Sequence, residues 1–274
     1  MEINRSNINE IIQNLNLFPE KDYGQNFLID SRVANRIVDS LEIEKDDQIL
    51  EIGPGLGSLT HFLLLSRANV DVVDIDSRMT LFLNRVYSDY SNLKIVNNDI
   101  RNIDVSQYSK IIGNLPYNIA TELVTYLITN ATSCHRYVLM CQAEAFSRFF
   151  DISGKNYGPI SVLIHLLGDS RKLFTVKPGS FYPSPKCNSV VFQIELNNAI
   201  KRKECLLTYK LCKQLFLNRR KTILNNLTSY LKNRNLAQKI CFDLSIKFDR
   251  RPEQISPQEY FDLYHVLSAN GNIK

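Results

Sequence analysis

No apolar run in this 274-residue chain approaches the roughly 20 residues needed to cross a bilayer. Its opening residues, Met1-Glu2-Ile3-Asn4-Arg5, lack the charged-then-apolar profile of a secretory signal. The six cysteines contain no CxxC pair, which excludes a zinc-ribbon spacing. Most sit in apolar company, as in Val138-Leu139-Met140-Cys141, and read as buried free thiols rather than a disulfide framework. His61, His135, His165 and His265 are scattered without ligand spacing, so no metal site is expected. Internal repeats and low-complexity segments are absent. What remains is a soluble, reduced, cytoplasmic protein, 44% hydrophobic and 22% charged, with enough apolar content for a real core. Its length suits one large domain and one small one.

The charge is unevenly spread. Residues 201–251 hold fourteen basic side chains against only Glu204, Asp243 and Asp249, while the chain as a whole carries a net +5. The rest of the sequence is therefore net acidic. Such asymmetry favours a polyanionic partner on one side of the molecule, although a solvated basic face gives the same count.

Strand and helix patterns alternate through the first two thirds. Ile8, Ile11, Ile12 and Leu15 have helical spacing, and Phe18-Pro19 ends that helix. Gln48–Ile52 predicts a buried strand, followed by a glycine loop and a helix from Ser58 to Arg67. Further strands are expected at Val70–Ile75, Leu93–Asn97, Lys110–Gly113, Tyr137–Gln142 and Val190–Leu196, with helices at Arg78–Tyr87 and Ala120–Thr129. Alternation at these lengths implies crossover connections and an α/β, doubly wound, mainly parallel sheet. After about Asn198 a helical period runs through Leu207, Leu211 and Leu215, then Ile223, Leu224, Leu227 and Leu231. Ser256-Pro257-Gln258-Glu259 reads as a capped helix start. The expected division is 1–198 for the sheet domain and 199–274 for a small, basic helical domain.

The chemistry-bearing residues fall at strand ends. Glu51-Ile52-Gly53-Pro54-Gly55-Leu56-Gly57 follows the first strand of the sheet and opens a helix. Glycines there let a ligand approach the backbone, though a bare strand-to-helix turn has the same composition. The spacing is GxGxG, not the GxGxxG of dinucleotide pyrophosphate sites, which argues against a nicotinamide-dependent oxidoreductase. Asp74 ends the next strand, where a carboxylate can accept from ribose hydroxyls. A nucleoside ligand without a pyrophosphate, S-adenosylmethionine above all, fits this pattern. Asp99 ends the third strand, placed to read the adenine amine of that cofactor; a loop or N-cap role is the alternative. Ile111-Ile112-Gly113-Asn114-Leu115-Pro116-Tyr117 ends the fourth. An exocyclic adenine amine is a poor nucleophile because its lone pair is delocalised into the ring. The Asn114 side-chain oxygen and the Leu115 or Pro116 carbonyl can draw it toward tetrahedral geometry and stabilise the charge that develops during methyl transfer. Tyr117 offers a ring for the base.

Together with Gly24-Gln25-Asn26-Phe27-Leu28, Gln142-Ala143-Glu144, Tyr157-Gly158, Phe181-Tyr182-Pro183-Ser184-Pro185-Lys186 and Arg219-Arg220-Lys221-Thr222, these motifs resemble the rRNA adenine N6-dimethyltransferases. The likeness runs in order from about Lys21 to Tyr264 and is nearest to the branch that modifies two adjacent adenines near the 3′ end of small-subunit (16S) rRNA. The resemblance implies a Rossmann-like S-adenosylmethionine-dependent methyltransferase domain with a small C-terminal helical domain, acting as a monomer on the immature small ribosomal subunit. It implies that Asn26 and Leu28 close over the cofactor, that Gly53 and Gly55 line its methionine side, and that Asp74, Asp99 and Asn114 hold ribose, adenine and the reacting end. Tyr117 and Phe181 would sandwich the target base, and Arg219, Arg220 and Lys221 would hold phosphates. The chain departs from the family in having Asp74 for Glu, Ser184 within a proline run, Cys187 for an apolar residue, Asn188 for Asp, Ala143 for Lys and Pro159 for Arg. Rivals are the macrolide-resistance relatives acting on large-subunit rRNA, a mitochondrial relative, and a non-catalytic RNA-binding assembly factor. The basic segment favours the small-subunit branch, the intact Asn114–Tyr117 stretch favours catalysis, and the acidic residues within 1–20 do not suit a transit peptide.

Overall fold

In a computed structural model, residues 1–14, 26–116, 119–197 and 201–271 are described. The chain opens with α1 (Ile8–Asn14), whose Ile8, Ile11 and Ile12 are buried as their spacing predicts; Leu15 and Phe18-Pro19 lie outside the described residues. Next come β1 (Phe27–Leu28), α2 (Ser31–Asp39), β2 (Gln48–Ile52), α3 (Ser58–Leu65), β3 (Asn69–Asp74), α4 (Ser77–Val86) and β4 (Leu93–Asn97). They are followed by β5 (Lys110–Asn114), α5 (Ala120–Asn130), β6 (Arg136–Gln142), α6 (Ala143–Phe150), α7 (Pro159–Leu167), β7 (Gly168–Val176), β8 (Phe181–Tyr182) and β9 (Ser189–Leu196). The last helices are α8 (Arg202–Phe216), α9 (Ile223–Leu231), α10 (Arg234–Asp243) and α11 (Pro257–Ala269). α3 stops short of its expected end because Arg67 turns left-handed at φ 63°.

Seven strands form one sheet in the order β4-β3-β2-β5-β6-β9-β7. β2 is parallel to β3 and β5, β3 to β4, and β5 to β6, while β9 runs antiparallel to β6. The interior strands β2, β5, β6 and β9 are buried along most of their length, as layers packed on both faces of the sheet require. β5 lies against β2 with Gly113 opposite Ile52. A Cβ on Gly113 would stand 2.7 Å from the Ile52 carbonyl oxygen, so only glycine fits that approach. The chain order reverses at β2: β3 and β4 continue to one side, and β5 returns to the other. Register brings the carboxyl ends of β2, β3 and β5 to one level, so the residues just past them surround the crevice that a switch point opens.

Two compact units emerge. The first comprises the described residues of Met1–Phe146 and Arg171–Glu195, and the second those of Ser147–Ser170 and Leu196–Lys274. This differs from the linear 1–198 and 199–274 division. The reason is α7, an almost wholly apolar helix with seven buried residues that packs on α8 and α11 and so joins the helical unit. That unit also contains the expected capping box: Ser256 Oγ accepts from the Glu259 N–H at 3.2 Å, and a Glu259 carboxylate oxygen accepts from the Ser256 N–H at 2.7 Å. Among the described residues, no helix is long and apolar enough to cross a membrane.

Candidate active site

The loop after β2 is the floor of the site. Gly53, Gly55 and Gly57 all take positive φ, at 63°, 54° and 85°, a region open to glycine at little cost. At Gly57 a side chain is excluded twice over, because a Cβ would also meet Leu83 at 2.8 Å. The Gly53 N–H donates to the Val73 carbonyl at 2.9 Å, which ties the loop to β3.

Asp74, the last residue of β3, faces this loop. Its carboxylate accepts from the Gly55 N–H at 3.3 Å and from the Asp76 N–H at 2.9 Å. Burial nevertheless dominates and pushes its pKa up to about 6, with the backbone donors opposing that rise. One strand over, Glu51 is 1% exposed and accepts from the Thr60 hydroxyl at 2.6 Å. Its pKa is pushed up to about 8, first by burial and then by the charge on Asp74.

Asn114 closes β5. Its side-chain N–H₂ donates to the Asn26 carbonyl at 3.3 Å, while its Oδ1 is buried without a hydrogen-bond partner among the described residues. A buried acceptor left open in a folded protein costs free energy unless a ligand fills it. Leu115 is anchored by its N–H to the Met140 carbonyl at 2.9 Å. From the other side β1 pairs with β8, and the Ser58 hydroxyl at the start of α3 donates to the Leu28 carbonyl.

These groups enclose a cavity of about 230 Å³. Asn26, Leu28, Gly53 and Gly55 line it, as do Asp74 and Asp99, and so do Asn114, Leu115 and Pro116. Nine of the residues singled out in the sequence therefore converge, all on the first unit. The walls suit S-adenosylmethionine: a glycine loop without a pyrophosphate-type turn, a carboxylate for hydroxyl donors, and an open acceptor at the reacting end.

Others stand differently. Tyr117, like Gly24 and Gln25, lies outside the described residues. Phe181 is 3% exposed, opposite Leu28 in the small sheet and absent from the cavity wall. Phe181 thus stands outside the cofactor cavity, and its role against the target base remains an expectation of the sequence. Asp99 reaches the wall, but Arg101 occupies its carboxylate and holds it below the usual carboxylate range. In the second unit, Arg219 pairs with Glu253 and donates to the Gly154 carbonyl at 2.6 Å, whereas Arg220 and Lys221 are exposed. Sequence reasoning assigned no role to Glu51 or Arg101. For Glu51 the available signal was an acid at the end of an otherwise apolar strand; for Arg101 there was none.

Comparison with known proteins agrees with this geometry. Residues 16–269 match the family model described as ribosomal RNA adenine dimethylase. A curated relative from Malacoplasma penetrans (strain HF-2), named ribosomal RNA small subunit methyltransferase A, is 34% identical over 265 residues, covering 91% of this chain and 93% of its own. The protein of the same name from Francisella tularensis subsp. novicida (strain U112) is 34% identical over 261 residues, covering 91% of this chain and 97% of its own. Among solved structures, a dimethyladenosine transferase from Plasmodium falciparum superposes with a TM-score of 0.75 at 24% identity, covering 89% of this chain and 98% of that one. The 23S rRNA methyltransferase ErmE gives 0.69 at 21% identity, over 89% and 100%. At those identities the two structures bear on the fold alone.

Proposed function

The chain belongs to the ribosomal RNA adenine dimethylases, and from that membership we propose that it dimethylates N6 of two adjacent adenines near the 3′ end of small-subunit rRNA during ribosome assembly. It is an S-adenosylmethionine-dependent enzyme. The choice of subunit is supported by the relatives named small-subunit methyltransferases, which align over nearly their whole length. On this reading the enzyme works as a monomer in the cytoplasm, on the immature small subunit.

The observation that carries the reading is the open Asn114 Oδ1. It accepts one N–H of the target amine. The Pro116 carbonyl already accepts from the Ile119 N–H at 3.3 Å, which favours the Leu115 carbonyl as the second acceptor. Two acceptors pull the nitrogen out of conjugation and stabilise the positive charge that builds on it. When bound, S-adenosylmethionine supplies the electrophilic methyl group. The methylated ammonium then loses its proton to solvent, so no strong base is needed. Asp74 accepts from the ribose hydroxyls, Asp99 reads the adenine, and Tyr117 supports the target base by stacking, a contact of about 1–3 kcal/mol. Extruding an adenine from a loop costs less than from a duplex. Replacement Asn114→Ala should abolish methyl transfer while cofactor affinity stays within a few-fold of wild type. Unchanged turnover would overturn the assignment.

A further inference from the structure

We infer that Arg101 is a positioning residue for cofactor recognition: its guanidinium fixes the Asp99 carboxylate in the plane from which it meets the adenine amine, and Glu122 on α5 holds the guanidinium in turn. The inference rests on the reading that Asp99 faces adenine, and deepens it.

Asp99 follows β4, the edge strand of the sheet, and caps the single helical turn Ile100–Asn102. Little packing restrains a carboxylate at such a place. Arg101 supplies the restraint. Asp99 Oδ1 accepts from the Arg101 backbone N–H at 2.9 Å and from its Nε at 3.0 Å, and Oδ2 accepts from Nη2 at 2.5 Å. A planar fork gripping both oxygens sets the rotation of the carboxylate, which a point-charge lysine cannot do. The remaining arm, Nη1, donates to Glu122 Oε1 at 2.6 Å in the first turn of α5. Asp99 and Arg101 line the cavity, and so do Ile119, the N-cap residue of α5, and Leu123, next to Glu122. The bridge therefore ties the adenine side to the helix that follows the Asn114–Pro116 turn.

Room for the ligand remains within this arrangement. The Nε–H is shared between both carboxylate oxygens, at 3.0 and 3.1 Å. An incoming amine N–H can displace one half of that shared bond while the backbone and Nη2 bonds persist.

The test uses the full chain and two probes, S-adenosylhomocysteine and its hypoxanthine counterpart, which carries a carbonyl in place of the adenine amine. The ratio of their affinities reads recognition of the amine alone. Arg101→Ala should weaken S-adenosylhomocysteine binding by about tenfold and collapse the preference for adenine. Arg101→Lys should restore it only in part. A wild-type ratio in Arg101→Ala, whatever its overall affinity, overturns the inference. Asp99→Asn separates the two layers. If it loses the preference while Arg101→Ala keeps it, the positioning role alone fails; if it keeps the preference, the assignment of Asp99 to adenine fails as well.

Discussion

Glu51 sits at the end of β2 with one hydroxyl donor, from Thr60, and the Asp74 carboxylate nearby, so burial decides its ionisation. Its carboxyl keeps its proton up to about pH 8 in the fold, against an ordinary 4.5. The protonated native form contributes stability that is fully present below pH 4.5 and is lost as pH rises through about 8. Glu51→Gln keeps the shape and the neutral state, so its melting temperature should stay flatter than wild type between about pH 5 and 9. Parallel pH profiles for the two proteins would contradict a buried neutral acid. Asn114 was legible in the sequence because the stretch around it carries its own chemical logic. Glu51 was not, since nothing local distinguishes a buried acid from one at the surface, and the shift depends on α3 and β3 closing over it. Arg101 was hidden for a related reason. Its meaning depends on Glu122, 21 residues away in sequence.

Short segments rich in Ile, Leu and Val declared themselves: β2 and β4 have the expected bounds, and β5 gains only Asn114 at its end. β7 carries the sequence Gly-Asp-Ser-Arg-Lys-Leu-Phe-Thr-Val and buries only its two end residues, so neither alternation nor an apolar run marks it. β1 and β8 have two residues each and exist only through their pairing with one another. The turn between α8 and α9 shows what charge counting misses. Arg219, Arg220 and Lys221 look equivalent in sequence, yet Arg219 is committed to Glu253 and Gly154, and the other two are exposed. Reversing Arg220 and Lys221 to Glu should flatten the salt dependence of RNA binding by about 0.7 log unit for each single-strand phosphate no longer neutralised. Arg219→Ala should instead lower the melting temperature and leave that slope alone. A slope that moves with Arg219 and not with its neighbours would reverse the assignment.

At the scale of the molecule, the sheet unit carries the cofactor cavity, and the helical unit contains the whole basic segment 201–251. The charge asymmetry and the change from alternating to purely helical periodicity made two parts visible in sequence. Their exact membership was not, because α7 lies between strands of the sheet yet packs with α8 and α11. A linear boundary cannot express that. The account joins a methyl-transfer site built around Asn114 with a preference for the small ribosomal subunit. Its most direct test is transfer from labelled S-adenosylmethionine to purified, unmethylated small and large subunits, followed by nucleoside analysis. The account predicts N6,N6-dimethyladenosine in small-subunit RNA alone; the same product confined to large-subunit RNA, or cofactor binding with no product on either, would contradict it.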